Sequence, residues 1–318
     1  GAAALRSGAG SAQQAQSLPT VAIAFASVEG DPESLQRARS FQAGMRDLGW
    51  IDGQTVRFAG RWMGNDPARA RTVADDLVAL KPDVILTMGT VAATALRAAT
   101  KSIPVVFVNV TDPVAGGYVA SLARPGGNMT GFTPFEYPIA GKWLALLKQA
   151  APGLSRVALM GDPNNHNYRG FWAPFETTAQ GLGIQPLKLP VGSAAEIEKG
   201  LADLAAAPGG GVVVSAATFS LAHRELIFAL TARLRLPAIY WTRFFAATGG
   251  LMSYGPDTDE LYAKSAAYVS RILKGAHPAD LPVQTATRFE TVINLRTARA
   301  LGLQIAPSLA SSADETIE

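Results

Sequence analysis

The 318 residues carry 28 Lys and Arg against 25 Asp and Glu, a net charge of +3, and only 17% of the chain is charged while 48% is hydrophobic. That balance excludes a disordered protein or a coiled coil, and no Lys/Arg cluster is dense enough for a nucleic-acid groove, so no nucleic-acid partner is expected. The absence of cysteine excludes Cys-ligated zinc, cysteine nucleophiles and disulfides, and at roughly 100–200 residues per domain the length suggests about two domains.

Residues 1–17 are small and polar with no apolar period. Gly10-Ser11-Ala12 followed by Gln13-Gln14 has the form of the small-residue end of a secretory signal. The segment is expected to be a disordered export-signal remnant. No later stretch suits a membrane span: Gly200 to Phe219 is broken by Asp203, Pro208 and Gly209-Gly210-Gly211.

From Thr20 onward, β-branched runs alternate with helical stretches. Val21 to Phe25 reads as a buried strand. Leu35, Ala38, Phe41, Met45 and Leu48 then form a helical stripe that stops at Gly49. Val56 to Phe58 is a strand, Ala68 to Leu80 a helix, Asp83 to Thr87 a strand, Val91 to Ala99 a helix and Val105 to Val108 a strand. A second series follows: strands at Val157 to Met160, Leu187 to Pro190, Val212 to Val214 and Ala238 to Tyr240, with helices ending at Leu182, spanning Ala195 to Leu204, and spanning Ala222 to Leu234. Asp257 to Lys274 is a further helix, and Thr291 to Leu301 a strand and helix. Strands alternating with helices imply parallel sheets covered on both faces.

The second series repeats the first. Ile103-Pro104 and Gly116-Gly117 lie 133 residues before Leu236-Pro237 and Gly249-Gly250, and Phe107 lands on Tyr240 at the same offset. Phe41 and Leu48-Gly49 land on Phe175 and Leu182-Gly183 at offset 134, and Thr90 on Thr218 at offset 128. The fold class is therefore α/β, with two doubly wound parallel-sheet lobes joined by a multi-strand hinge. Residues 18–131 plus 254–286 are assigned to lobe one, and 132–253 plus 287–318 to lobe two. Gly131-Phe132-Thr133 and Ser253-Tyr254-Gly255 are the expected crossings, and several short crossings make a hinge rather than a tether.

Ligands of open parallel sheets bind beyond the carboxyl ends of the strands, which places a site between the lobes. Lobe one offers Ser27, Glu29, Gly89, Thr90, Asn109, Thr111 and Asp112; lobe two offers Asn164, Asn165, His166, Thr218, Phe219 and Trp241. Gly89-Thr90 precedes a helix, so free N–H groups and a hydroxyl there suit a carboxylate. Asp112-Pro113 also has the plain form of a helix cap. Glu29 can meet a ligand ammonium or only solvate its loop, and His166 can donate to an anion or sit at the surface. Phe219, Tyr240, Trp241 and Tyr254 are candidates for stacking a flat ligand, and Phe132, at the first crossing, completes the set. Trp143 reads as packing, and His223 as structural.

No Gly-x-Ser-x-Gly elbow or phosphate loop occurs, and the three histidines are not paired at metal-ligand spacing. No catalytic residue, metal or cofactor is expected, and the chain is not expected to be an enzyme.

Several runs carry a family resemblance: Ile103-Pro104-Val105-Val106-Phe107, Thr111-Asp112-Pro113-Val114, and Ser121-Leu122-Ala123-Arg124-Pro125-Gly126-Gly127-Asn128-Met129-Thr130-Gly131. Leu236-Pro237-Ala238-Ile239-Tyr240, Gly249-Gly250-Leu251-Met252-Ser253-Tyr254-Gly255, Arg271-Ile272-Leu273-Lys274-Gly275 and Phe289-Glu290-Thr291-Val292-Ile293-Asn294-Leu295 add to it. Together they resemble the ABC transporter substrate-binding proteins of the tryptophan/tyrosine-binding type, over Thr20 to Glu318. The resemblance implies a type I periplasmic-binding fold, a periplasmic or cell-envelope location and delivery of a solute to a membrane permease. It implies a monomer that closes on a small ligand, an aromatic amino acid or aromatic carboxylate. Relatives often have Ser-Pro-Gly where this chain has Ser27-Val28-Glu29, Asn-Pro-x-Asn-Pro near Asp162 to His166, and a carboxylate where Ala217 stands. The missing acid removes one ammonium partner, which Glu29 would supply from the other lobe unless the ligand is a carboxylate without an ammonium. An enzyme on the same scaffold would show turnover. A regulator's sensing core would need a DNA-binding segment before Thr20.

Overall fold

Two sheets, each made mostly of parallel strands, organise the chain. The computed structural model describes residues 18–64 and 66–318; the export-signal remnant expected in residues 1–17 lies outside the described residues. Lobe one opens with β1 (Thr20–Phe25), α1 (Pro32–Asp47), β2 (Arg57–Trp62), α2 (Pro67–Ala79), β3 (Val84–Met88), α3 (Thr90–Ala99), β4 (Val105–Val108) and β5 (Met129–Thr133). Lobe two follows with α4 (Ile139–Ala150), β6 (Arg156–Gly161), α5 (His166–Gly181), β7 (Gln185–Pro190), α6 (Ala194–Ala205) and β8 (Gly210–Val214). It continues through α7 (Thr218–Ala222), α8 (Arg224–Arg233), β9 (Ala238–Tyr240), α9 (Arg243–Ala247) and β10 (Met252–Pro256). Helix α10 (Thr258–Leu273) and β11 (Gln284–Thr285) return to lobe one. The chain ends on lobe two with β12 (Phe289–Asn294), α11 (Leu295–Ala300), α12 (Pro307–Ser312) and β13 (Glu315–Ile317).

The sheet orders are β11-β5-β4-β3-β1-β2 and β13-β12-β10-β9-β8-β6-β7. The run β2-β1-β3-β4-β5 is thus matched by β7-β6-β8-β9-β10, the same doubly wound order in each lobe. All pairs are parallel except β10 with β12. Strands β3, β4 and β8 are buried along their whole length, as a sheet with helices on both faces requires.

Helices start where short acceptors cap them. Asp31 accepts from Ser34 N with Pro32 at the first turn of α1, and Asp66 caps α2 in the same way with Pro67. In α1 the buried positions are Ser34, Arg37, Ala38, Phe41 and Met45, whereas Leu35 and Leu48 of the expected stripe are exposed. Helix α10 lies across α1, and this requires a glycine: a Cβ on Gly44 would stand 2.7 Å from the Ala263 carbonyl and 2.9 Å from Ala266 Cβ.

The chain crosses between lobes three times: at residues 134–138, at Asp257, and at 286–288. The crossings sit slightly beyond the expected positions. Phe132 and Thr133 are held in the first sheet by parallel pairing with Gln284 and Thr285, and Tyr254 to Pro256 are held in the second by antiparallel pairing with Phe289 to Thr291. The helix expected over Ala222 to Leu234 is α8, and the short α7 precedes it unforeseen; the two part at His223, whose ring Nδ1 sits 3.0 Å from the Phe219 carbonyl.

Candidate ligand cleft

The carboxyl ends of both sheets face each other across a cavity of about 50 Å³ that is partly open at the mouth. From lobe one, Ala26 and Ser27 follow β1, Met88, Gly89 and Thr90 end β3 and start α3, and Asn109 and Thr111 follow β4. From lobe two, Asn165 and Asn167 follow β6, Ala216 and Ala217 follow β8, and Trp241 follows β9; Leu221 projects from α7. Arg37 and Ser34 of α1 and Tyr262 of α10 complete the lining.

Backbone geometry concentrates at this edge. Gly89 has φ +93° and passes directly into α3, leaving the first amides of that helix toward the cavity. Asn109 and Asp112 take positive φ, +65° and +43°, a conformation rare for residues other than glycine. The loop after β4 therefore turns sharply at Asn109, directly after the strand, and again at Asp112.

The lobes touch across the cleft. Asn167 Nδ2 donates to Thr90 Oγ1 at 3.4 Å. At the mouth, the Arg224 guanidinium of α8 stands 3.7 Å from Asp31 Oδ1 before α1. The structure is thus a closed arrangement, held by contacts that separate if the hinge opens.

The interior charge comes from α1. Arg37 is 5% exposed, pairs through Nη2 with Glu33 one turn earlier, and lies 5.5 Å over the Tyr262 ring. Burial raises the Glu33 carboxyl above its ordinary value although Arg37 pulls it down. Burial likewise pushes the Tyr262 phenol up to about 12, so Tyr262 is neutral near pH 7. Two residues of the lining carry a buried N–H without a partner, Arg37 Nε and Trp241 Nε1. A buried unpaired N–H costs roughly 1–3 kcal/mol, which a bound acceptor would remove.

Seven of the sequence candidates line the cavity: Ser27, Gly89, Thr90, Asn109, Thr111, Asn165 and Trp241. The others sit around it. Glu29 is exposed on a separate groove at the mouth, shared with Asp31 and Arg224. Asp112 accepts from Ala115 N at 3.0 Å within a turn; no helix begins at Pro113, so the helix cap suggested by Asp112-Pro113 is not formed. Asn164 is exposed beside the cap formed by Asp162. His166 opens α5 and Thr218 opens α7. The Phe219 ring lies against His223 at 4.3 Å. Tyr240 is 1% exposed and stacks on Phe245 at 4.9 Å, inside the lobe-two core. Phe132 is buried against Tyr268. Tyr254 stacks on Phe289 near the hinge, and its carbonyl accepts from Trp143 Nε1 at 2.7 Å.

Sequence reasoning missed Arg37, Ser34 and Tyr262 because it searched loops only. The signal was an arginine on the buried face of α1, four residues after Glu33 and four before Phe41. Among the described residues, no group of three His, Cys, Asp or Glu could hold a metal ion, and no helix is long and apolar enough to cross a membrane.

The sequence model of one protein family, described as ABC transporter substrate binding protein, matches residues 20–317. A tyrosine-binding protein of Clostridioides difficile (strain R20291) is 26% identical over 278 residues, 85% of this chain and 78% of that protein. A crystal structure of an ABC domain in complex with L-Trp from Streptococcus pneumonia superposes with TM-score 0.87 at 24% identity, covering 95% of this chain and all of the other. A conserved domain protein from Vibrio cholerae O1 biovar El Tor gives TM-score 0.88 at 25% identity over 94% of this chain and all of that one.

Proposed function

Because the chain belongs to the ABC transporter substrate binding protein family, we propose that its interlobe cleft captures a small amino acid-like or aromatic carboxylate solute by hinge closure and presents it to a membrane permease. The observation that carries this reading is the cavity itself, which is lined from both lobes and bridged by Asn167 and Thr90. A ligand touching both lobes gains contacts only in the closed state, and that differential affinity is what shifts the hinge equilibrium. The protein acts outside the cytoplasm, in the periplasm or cell envelope, as a monomer, and binds without chemistry.

An aromatic ring is compatible with the Trp241, Tyr262, Leu221 and Met88 surfaces of the lining. A micromolar dissociation constant corresponds to about −8 kcal/mol, within reach of one packed ring and a few charge-assisted bonds. A thermal-shift screen of amino acids and aromatic acids tests the reading. Stabilisation by a member of the set, with the solute recovered unchanged, is expected; no stabilisation by any of them, or consumption of the solute, contradicts it.

A further inference from the structure

Among the described residues lining the cavity, one side chain is charged, and it is a cation, Arg37. Among the described residues, no carboxylate lines the cavity: Glu29 is exposed on the separate groove at the mouth, and the others near the cleft are engaged elsewhere. Asp31 accepts from Ser34 N at 2.9 Å and faces Arg224. Glu33, outside the lining, is bound to Arg37 through Oε1, while its Oε2 is buried without a partner. Asp112 and Asp162 accept from the backbone amides of Ala115 and Asn164 at 3.0 and 2.8 Å. What the cavity holds in surplus is donors. Arg37 Nε and Trp241 Nε1 have no partner, and their residues are 5% and 4% exposed. They belong to opposite lobes, and Gly89 and Thr90, where α3 begins without a side-chain cap, line the same cavity. A carboxylate entering this space replaces lost water with charge-assisted bonds. An ammonium entering it loses its hydration and finds only neutral side-chain oxygens, those of Asn, Ser, Thr and Tyr262.

From this we infer that the ligand is a small carboxylate without an ammonium group, held between Arg37 on lobe one and Trp241 on lobe two. The inference rests on the solute-binding reading above and narrows it to one class. Ala217 supplies the handle for a test. It lines the cavity and occupies the cap position of α7 with extended backbone, φ −158° and ψ 150°, where an aspartate is well accommodated.

The test is isothermal titration of the full chain with matched pairs: indole-3-propionate against L-tryptophan, and 3-(4-hydroxyphenyl)propionate against L-tyrosine. The expected result is that a propionate binds its site at least about tenfold more tightly than the matching amino acid, a difference of about 1.4 kcal/mol. Ala217→Asp, by adding a carboxylate to the lining, is expected to narrow or reverse that ratio. If an amino acid binds more tightly than its propionate in the unaltered chain, the inference is overturned while the solute-binding reading stands. If Ala217→Asp folds and leaves the ratio unchanged, the assignment of the ammonium-excluding surface is overturned. If none of the four probes nor any other amino acid or aromatic acid binds, both readings fall. Should Ala217→Asp not fold, the comparison in the unaltered chain decides alone.

Discussion

The contact between Asp31 and Arg224 joins the lobes at the cleft mouth, and neutralising it should open the protein. The charged atoms are 3.7 Å apart, with side chains 7% and 21% exposed. At an effective dielectric of about 20 the gross attraction is about 4 kcal/mol. Desolvation and the ordering of a long side chain offset most of it, leaving a net of about 1–2 kcal/mol. Arg224 also lies 5.4 Å over the Phe244 ring, but both belong to lobe two, so that contact is present whether the hinge is open or closed. Asp31→Asn is the cleaner substitution, because asparagine caps α1 as well as aspartate does. Arg224→Gln removes the other charge. Each is expected to shift the closure equilibrium toward open by a factor of about 5–30, and to weaken the apparent affinity for indole-3-propionate in proportion to the closed fraction lost, a smaller factor because the parent is already partly closed without ligand. Small-angle scattering of the ligand-free protein should show a larger radius of gyration, and added salt should shrink the difference between variant and parent. The double variant should be no worse than either single one. Unchanged scattering and affinity in both variants, or fully additive losses in the double variant, would refute the latch.

Trp241→Phe keeps an apolar ring in the cavity and removes an unpartnered buried N–H. Ligand affinity should fall about 2- to 10-fold while the ligand-free melting temperature stays level or rises; a fall in melting temperature without an affinity change contradicts the assigned role. Gly44→Ala puts a Cβ 2.7 Å from the Ala263 carbonyl, and overpacking of the α1–α10 contact should cost about 1–3 kcal/mol in chemical denaturation; an unchanged midpoint contradicts the close approach. Burial raises the Asp259 carboxyl, against the pull of Arg37, above its unfolded value of 3.8. The folded protein therefore binds this proton more readily, and the group's contribution to stability is full below that value and is lost as pH rises through the folded pKa. Melting temperatures measured from pH 7 down to 4 should show this component, and Asp259→Asn should flatten it; an identical profile in the variant refutes it.

Much of the fold was legible because buried parallel strands leave continuous β-branched runs. β4 and β9 begin and end where the sequence places them, and the offsets near 133 between the two series reappear as the matched strand order of the lobes. The loops of the cleft were legible for the same reason, since strand ends fix which loops face it. Aromatic residues were harder to place. Tyr240 ends β9 one residue before the cavity-lining Trp241, and its ring instead packs between Phe228 and Phe245, because successive side chains on a strand point to opposite faces. Arg37 and Tyr262 were hidden for a different reason. Both reach the cleft from helix faces that otherwise build the lobe-one core, and a charged side chain on such a face is visible as a ligand group only once the facing lobe is in position.

The central claim is capture of a solute by closure, without reaction. Its most direct test is small-angle scattering of the full chain combined with titration of one saturating probe, indole-3-propionate. A single site per chain, a smaller radius of gyration at saturation and chemically unchanged probe are predicted. Saturable binding with no change in radius, or conversion of the probe, would contradict it.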